Sequence, residues 1–251
     1  MVAAIAVLGG LGGAVGSFLN VVVHRVPQRL SLVRPGSHCP ACSAPVRPYD
    51  NVPVFSWLLL RGRCRDCKAR ISPRYPAIEL LTAVAFVAIA LARGFDEDLL
   101  LELPFAAMLI AVAGIDLEHR IVPNRILLPA AVYGIAVSAL VRPGELPELL
   151  IAGGGAFLLF LLAAVAYPAG MGMGDVKLAG VMGLYLGLSV VPALLVAFLS
   201  GTLVGVAILL RHGTGGRKRG VPFAPFLALG GLVGLLVGPE LVELYADTFL
   251  R

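Results

Sequence analysis

Apolar residues gather into long runs along this chain, interrupted by short polar stretches and by one long one. Runs approaching ~20 residues, the length a helix needs to cross the hydrocarbon of a bilayer, fall at 2–23, 77–92, 99–115, 126–141, 149–167, 176–188, 190–210 and 223–243. The pattern predicts about eight transmembrane helices, several of them short. The sixth is brief and glycine-rich, and its separation from the seventh rests on LGLSVVP acting as a turn. The opening MVAAIAVLGGLGGAVGSFLNVVV has no basic residue ahead of its apolar stretch and runs on too long for a cleaved signal peptide. It reads as the first spanning helix.

Composition agrees. Hydrophobic residues make up 59% of the 251 and charged residues only 14%, against roughly 25% charged in soluble domains, so the expected fold class is an all-α polytopic membrane protein. The formal charge of +5 is modest, and its placement says more than its size. Ten Lys or Arg fall in 24–76, with further basic residues in 116–125, 168–178 and 211–220; the acidic stretches FDEDLLLE, GELPE and GPELVELYAD lie between them. Short cytoplasmic loops collect Lys and Arg. Eight spans with an external N-terminus put all four basic segments inside, and nothing in the pattern calls for nucleic acid.

Segment 24–76 is the one part long and polar enough to be a module, dividing the chain into a first helix (1–23), a cytoplasmic loop (24–76) and a membrane domain (77–251). It holds all four cysteines as CPAC and CRDC, Cys39 with Cys42 and Cys64 with Cys67, 21 residues apart. Each C-x-x-C turn offers two thiolates to one tetrahedral ion, which points to a structural Zn²⁺. Two disulfides are the competing reading, disfavoured by the reducing cytosol in which the basic flanks place the loop. His38 reads as a bystander. A Pro- and Arg-rich loop of this size cannot bury enough surface to fold alone, so a metal would supply much of its stability.

Charges at a membrane edge are functional candidates, because hydrocarbon makes them costly. Asp116 ends the third span in AVAGIDLEHRIVPNRI, and Asp175 follows the fifth in GMGMGDVKLAG. Counting spans brings both to the cytoplasmic face. Two carboxylates that meet share one proton, leaving a base to activate water and an acid to protonate a leaving amide nitrogen, the chemistry of aspartic proteases. Taken singly, either residue is also a plausible helix cap or solvated interface group. Gly170, Gly172 and Gly174 would free the backbone there and admit a substrate strand. Lys177 reads as a charge acting on Asp175 or as a positive-inside lysine, and Glu79 as a functional carboxylate or as a partner for Arg74. His119 reads as a solvated loop residue.

The ordered set GSFLNVVVHRVP (16–27), CPAC, CRDC, DNVPVFSWLLLRGRCR (50–65), ISPRYPAIELLTA (71–83), IDLEHRIVPN (115–124), GMGDVKLAG (172–180) and VPFAPFLALG (221–230) resembles the bacterial type IV prepilin peptidases, which are GxGD intramembrane aspartyl proteases. The resemblance covers nearly the whole chain. It implies that Asp116 and Asp175 are the catalytic pair with Gly172, Gly174 and Lys177 in support, and that the substrates are prepilins and type II secretion pseudopilins. Members with the cysteine loop often also N-methylate the new N-terminus from S-adenosylmethionine. The family usually has Gly where this chain has Ala224, and VPFAPF is expected near the site. GGLGGAVG (9–16) follows no strand and reads as close helix packing rather than a nucleotide loop. Membrane-edge acids and glycine-broken helices also suit an ion transporter, which leaves the cysteine module unexplained, and a zinc-stabilised secretion scaffold without chemistry is a third reading.

Overall fold

Each apolar run becomes a helix. The computed structural model describes residues 1–168, 170–212 and 221–249. Its helices are α1 (Val2–Arg25), the short α2 (Phe55–Leu59), α3 (Arg74–Arg93), α4 (Leu99–His119), α5 (Asn124–Val141), α6 (Leu146–Ala166), α7 (Met173–Leu186), α8 (Val190–His212) and α9 (Ala224–Phe249). Among the described residues, seven stretches are long and apolar enough to cross a membrane, with Met173–Arg211 counted as one. Inside that stretch Gly187, at φ +54°, opens the 3-10 turn Gly187–Ser189 that separates α7 from α8, so LGLSVVP does turn the chain. The 14 residues of α7 reach only ~21 Å, short of the ~30 Å hydrocarbon core. The third run extends beyond its expected end at 115, which leaves Asp116 inside the last turn of α4 and makes His119 its final residue, exposed but helical. Beyond Arg211 and His212 the basic segment 211–220 lies outside the described residues.

The chain packs as two units, Met1–Leu91 and Ala92–Arg251. In the first, α1 and α3 meet backbone to backbone. A Cβ on Gly12 would lie 2.7 Å from Ala83 Cα and one on Gly16 would lie 2.6 Å from Glu79 Cα, so the glycine stripe is indeed a packing seam. Small residues serve this purpose in lipid, where helices associate by close contact rather than by escape from water. Asn20 Nδ2 donates to Tyr75 O across the same seam at 3.1 Å.

In the second unit α4 is the most enclosed helix; Phe105, Leu109, Val112 and Ile115 are fully buried. It packs against α9 and α5, while α6 pairs with α7 and α8 with α9. Gly183 lies against the backbone of Ala152 and Gly153, which seats α7 closely on α6. Phe105 stacks on Tyr185 with ring centroids 4.6 Å apart, and the Tyr185 hydroxyl donates to Ala130 O at 2.7 Å. Charge collects at both ends of α4. At its start Glu102, 3% exposed, accepts from Arg93 Nε at 3.0 Å and lies 3.6 Å from Arg142, which also binds Asp98 at 2.5 Å. Asp116 lies 14 residues further on, ~21 Å away along the axis, and the stretch between them is apolar apart from Glu102's own neighbours.

Candidate active site

Helix ends build the site. Asp116 occupies the last turn of α4 and is 6% exposed. Arg120 takes the left-handed conformation (φ 55°, ψ 40°) and returns its N–H to Asp116 O at 2.9 Å, so the chain reverses just past the aspartate. A non-glycine residue in that region is uncommon and marks a constrained turn. The Asp116 carboxylate then accepts the backbone N–H of Ala224 at 3.0 Å. Ala224 is the first residue of α9, and its N–H is one of the four that a helix start leaves without an internal partner, so the side chain of one helix caps another. This confirms that VPFAPF borders Asp116. Aromatic packing among Phe160, Phe198, Phe223 and Phe226 holds that segment in place.

Asp175 stands in the first turn of α7, partly buried, with its own N–H bonded to Gly172 O at 3.0 Å. α4 and α7 touch, and the carboxylates of Asp116 and Asp175 lie near enough for their charges to act on each other. Folding thus brings together two acids that the sequence holds far apart. The glycines around Asp175 act differently from the expectation. Gly172 is extended (φ −80°, ψ 145°), Gly174 is helical, and neither has a positive φ. What Gly174 supplies is room, since a Cβ there would lie 2.7 Å from Val122 Cβ. At Gly172 the nearest atom would be Asp175 Oδ2 at 3.6 Å, an ordinary contact. Lys177 donates to Asn124 Oδ1 at 3.1 Å, tying α7 to α5. Val122 and Asn124 entered the sequence reading only as members of IDLEHRIVPN, without roles of their own; their contacts with Gly174 and Lys177 come from the packing against α7.

The four cysteines lie in the other unit, on two copies of one turn. Cys39 N–H bonds to Ala44 O (2.9 Å) and Ser43 N–H to Cys39 O (2.8 Å); Cys64 N–H bonds to Ala69 O (2.8 Å) and Lys68 N–H to Cys64 O (3.1 Å). Ser43 and Lys68, each just after the second cysteine, are both left-handed at φ 58° and 60°. Isolated bridges, His38 to Pro45 and Arg63 to Arg70, close the two turns. The result places all four Sγ atoms within 4.8 Å of one another. The Cys39–Cys67 separation is 3.8 Å, the edge of about 3.8 Å that a tetrahedron of 2.3 Å metal–sulfur bonds requires, and far from the ~2.0 Å of a disulfide. These thiols could hold a metal ion, and His38 is outside their cluster. Backbone N–H groups of Ala41 and Cys42 draw the Cys39 thiol down to about 7. Cys42, although the N–H of Ala44 pulls it down, is pushed up to about 12 by the neighbouring thiols, Cys67 foremost. Four thiolates at this distance need a cation between them. Arg65 binds Asp50 through two nitrogens at 2.5 to 3.1 Å, holding that carboxyl below its usual range and fastening the second turn to the chain after the first.

Glu79 accepts the Val54 N–H at 2.7 Å and interacts with the Ser17 hydroxyl, so it braces the loop against α1 and α3. A cavity of about 480 Å³ beside Cys64 is lined by Leu59, Leu60, Arg61, Arg63 and Lys68. Its three cationic side chains and lack of a carboxylate make it unsuited to S-adenosylmethionine, whose reactive centre is itself a sulfonium cation.

The paired acids at helix ends, within a bundle of membrane-length helices, define a membrane-embedded protein of aspartyl-protease type. Residues 103–210, which include both aspartates, match the type IV leader peptidase family, and residues 11–93 match the bacterial peptidase A24 N-terminal domain; the two packing units divide close to the end of the N-terminal match, between Leu91 and Ala92. The chain belongs to the type IV leader peptidase family. It is 34% identical to the prepilin leader peptidase/N-methyltransferase of Aeromonas hydrophila, over 94% of this chain and 91% of that one. The proteins of the same name from Pseudomonas aeruginosa (33%, 94% and 91%) and Bacillus subtilis (35%, 93% and 94%) are similarly related. No solved structure matches the chain. α9 lies beyond the matched 103–210, although it supplies the N–H that Asp116 accepts.

Proposed function

We propose that this protein is an intramembrane aspartyl endopeptidase that removes the short basic leader from type IV prepilins and type II secretion pseudopilins at the cytoplasmic face of the inner membrane. The reading is carried by one observation: Asp116 and Asp175, remote in sequence, stand on helices that touch, with their carboxylates near enough for their charges to interact. One carboxylate takes a proton from water as the water oxygen bonds to the scissile carbonyl carbon. The other gives its proton to the leaving nitrogen as the C–N bond breaks. Ala224 N–H fixes the orientation of Asp116, and the Val122–Gly174 contact fixes the start of α7 and hence Asp175. A pilin precursor enters the bilayer through its own apolar N-terminal helix, so its scissile bond emerges where such a pair would stand.

The relatives' shared name adds a second activity, and we carry it over: N-methylation of the newly exposed amine, with S-adenosylmethionine supplying the methyl group. Zinc is the ion we assign to Cys39, Cys42, Cys64 and Cys67, because a closed set of four thiolates is a structural zinc site. An ion transporter or an inert scaffold accounts for less, since neither uses the aspartate pair and the family relationship together.

The test is mass spectrometry of a prepilin after incubation with the purified protein and S-adenosylmethionine, which reads leader loss and methyl gain separately. Wild type gives both. Asp116→Asn and Asp175→Asn each abolish leader loss, and the double variant is no worse, because residues acting as one unit are non-additive. Near-normal cleavage by either folded single variant overturns the assignment.

A further inference from the structure

Segment 24–76 leaves α1 and returns to α3, but its middle does not stay clear of the two helices. Pro53 packs on Gly13, where a Cβ would lie 3.2 Å from the Pro53 Cβ. Gly13 sits deep within α1, 12 residues before its end at Arg25, or ~18 Å along the axis. The neighbouring Val54 gives its N–H to Glu79 in α3. Helix α3 carries an arginine at each end, Arg74 and Arg93, ~28 Å apart and so close to the ~30 Å thickness of the hydrocarbon core. Gly16 faces Glu79 and Gly12 faces Ala83, which brackets Gly13 and Pro53 at about 7–14 Å inside the Arg74 boundary.

The chemistry of the segment fits that depth. Backbone and polar side chains at hydrocarbon level must find partners within the protein, and several here have them. Val52 N–H donates to Ser56 Oγ at 3.1 Å, Ser56 Oγ donates to Tyr49 O at 3.1 Å, and Trp57 Nε1 donates to Ile71 O at 3.2 Å. The outward face is apolar: Phe55, Leu58 and Leu59 are exposed, Leu59 to 83%. Apolar side chains are also exposed on α1 (Leu11, Phe18) and on α3 (Leu80, Val84). Directly after the segment come Arg61, Arg63 and Lys68, which share a cavity with Leu59 and Leu60.

We propose that Pro53–Leu60 is a re-entrant segment, inserted into the lipid beside α1 and α3, with Phe55, Leu58 and Leu59 among acyl chains and Arg61, Arg63 and Lys68 against the phosphates of anionic headgroups. The inference rests on α1 and α3 spanning the bilayer and is independent of peptidase activity. Long basic side chains can lie along apolar surface while their charged ends stay at headgroup level, and each adds attraction to an anionic leaflet. A segment so held would anchor the cysteine turns to the membrane surface.

Trp57 is the sole tryptophan of the chain and lies on α2 itself, so its fluorescence reports on this segment without labelling. The full-length protein is placed in vesicles of phosphatidylcholine and phosphatidylglycerol, with or without lipids brominated in the upper part of the acyl chain, and iodide serves as the aqueous quencher. Brominated lipid is expected to quench Trp57 strongly and iodide weakly. Replacing Phe55, Leu58 and Leu59 together by Ser should reverse that order while the metal content of the cysteine cluster is retained. Charge reversal at Arg61, Arg63 and Lys68 should weaken lipid quenching in phosphatidylglycerol vesicles and leave pure phosphatidylcholine vesicles unaffected. Quenching of the wild-type protein by iodide alone overturns the proposal, because α2 would then face water. Quenching by neither agent also overturns it, and assigns the face to a protein partner.

Discussion

Gly174→Ala tests the geometry of the aspartate pair without touching either acid. An added Cβ would stand 2.7 Å from Val122 Cβ, whereas aliphatic carbons settle at ~3.5–4.0 Å, so about 1 Å of displacement is required. Val122 cannot easily yield: Pro123 follows it, and Asn124 next to that is bonded to Lys177. The start of α7 therefore moves, and Asp175, the adjacent residue, moves with it. A misplacement of ~1 Å costs on the order of 100-fold in rate. Helix propensity acts in the opposite direction, since alanine favours a helix over glycine by about 1 kcal/mol, so lost activity would not reflect a weakened helix. Initial rates of leader removal, measured by mass spectrometry across a range of prepilin concentrations, should show kcat down about 100-fold with KM little changed. Gly172→Ala, where the contact is an ordinary 3.6 Å, and Gly154→Ala, where nothing lies within 4 Å, should stay near wild type. Val122→Gly removes the clashing atom and should restore most of the rate to Gly174→Ala. A folded Gly174→Ala enzyme of normal rate, or a failure of Val122→Gly to rescue it, would refute the reasoning.

Two further perturbations probe the supports. Serine at Cys39 or Cys64, or removal of metal by a chelator, should unfold the cysteine turns and expose free thiols to a colorimetric reagent; cleavage should suffer less than methyl transfer, because Asp116 and Asp175 belong to the other packing unit, and equal loss of both activities would show that the loop shapes the peptidase site. Glu102→Gln leaves Arg93 and Arg142 short of their buried counter-charge and should destabilise the second unit by about 3–5 kcal/mol, read as a lower midpoint of thermal unfolding in detergent, while an unchanged midpoint would mean that water already solvates the cluster.

How much the sequence determined depended on how local the cause was. Length and hydropathy alone decide that a run of apolar residues must be a helix in lipid, because no other open structure satisfies its backbone there; the long helices were legible for that reason, and so was the turn at Gly187. The cysteine turns were legible too, since C-x-x-C spacing is a local constraint on two thiolates. The helix ends were less so: α4 continues past the apolar run to His119 because a helix stops where its backbone can turn, here at the left-handed Arg120, and not where the polarity changes. Only tertiary structure decided the rest. That Asp116 caps α9, that Gly174 is needed for space rather than for its φ, that Lys177 bonds to Asn124, and that Pro53 lies against the middle of α1 are all contacts between segments far apart in the chain. No periodicity or composition encodes them, because each is set by which helix faces pack together, and that choice is made by the whole bundle at once.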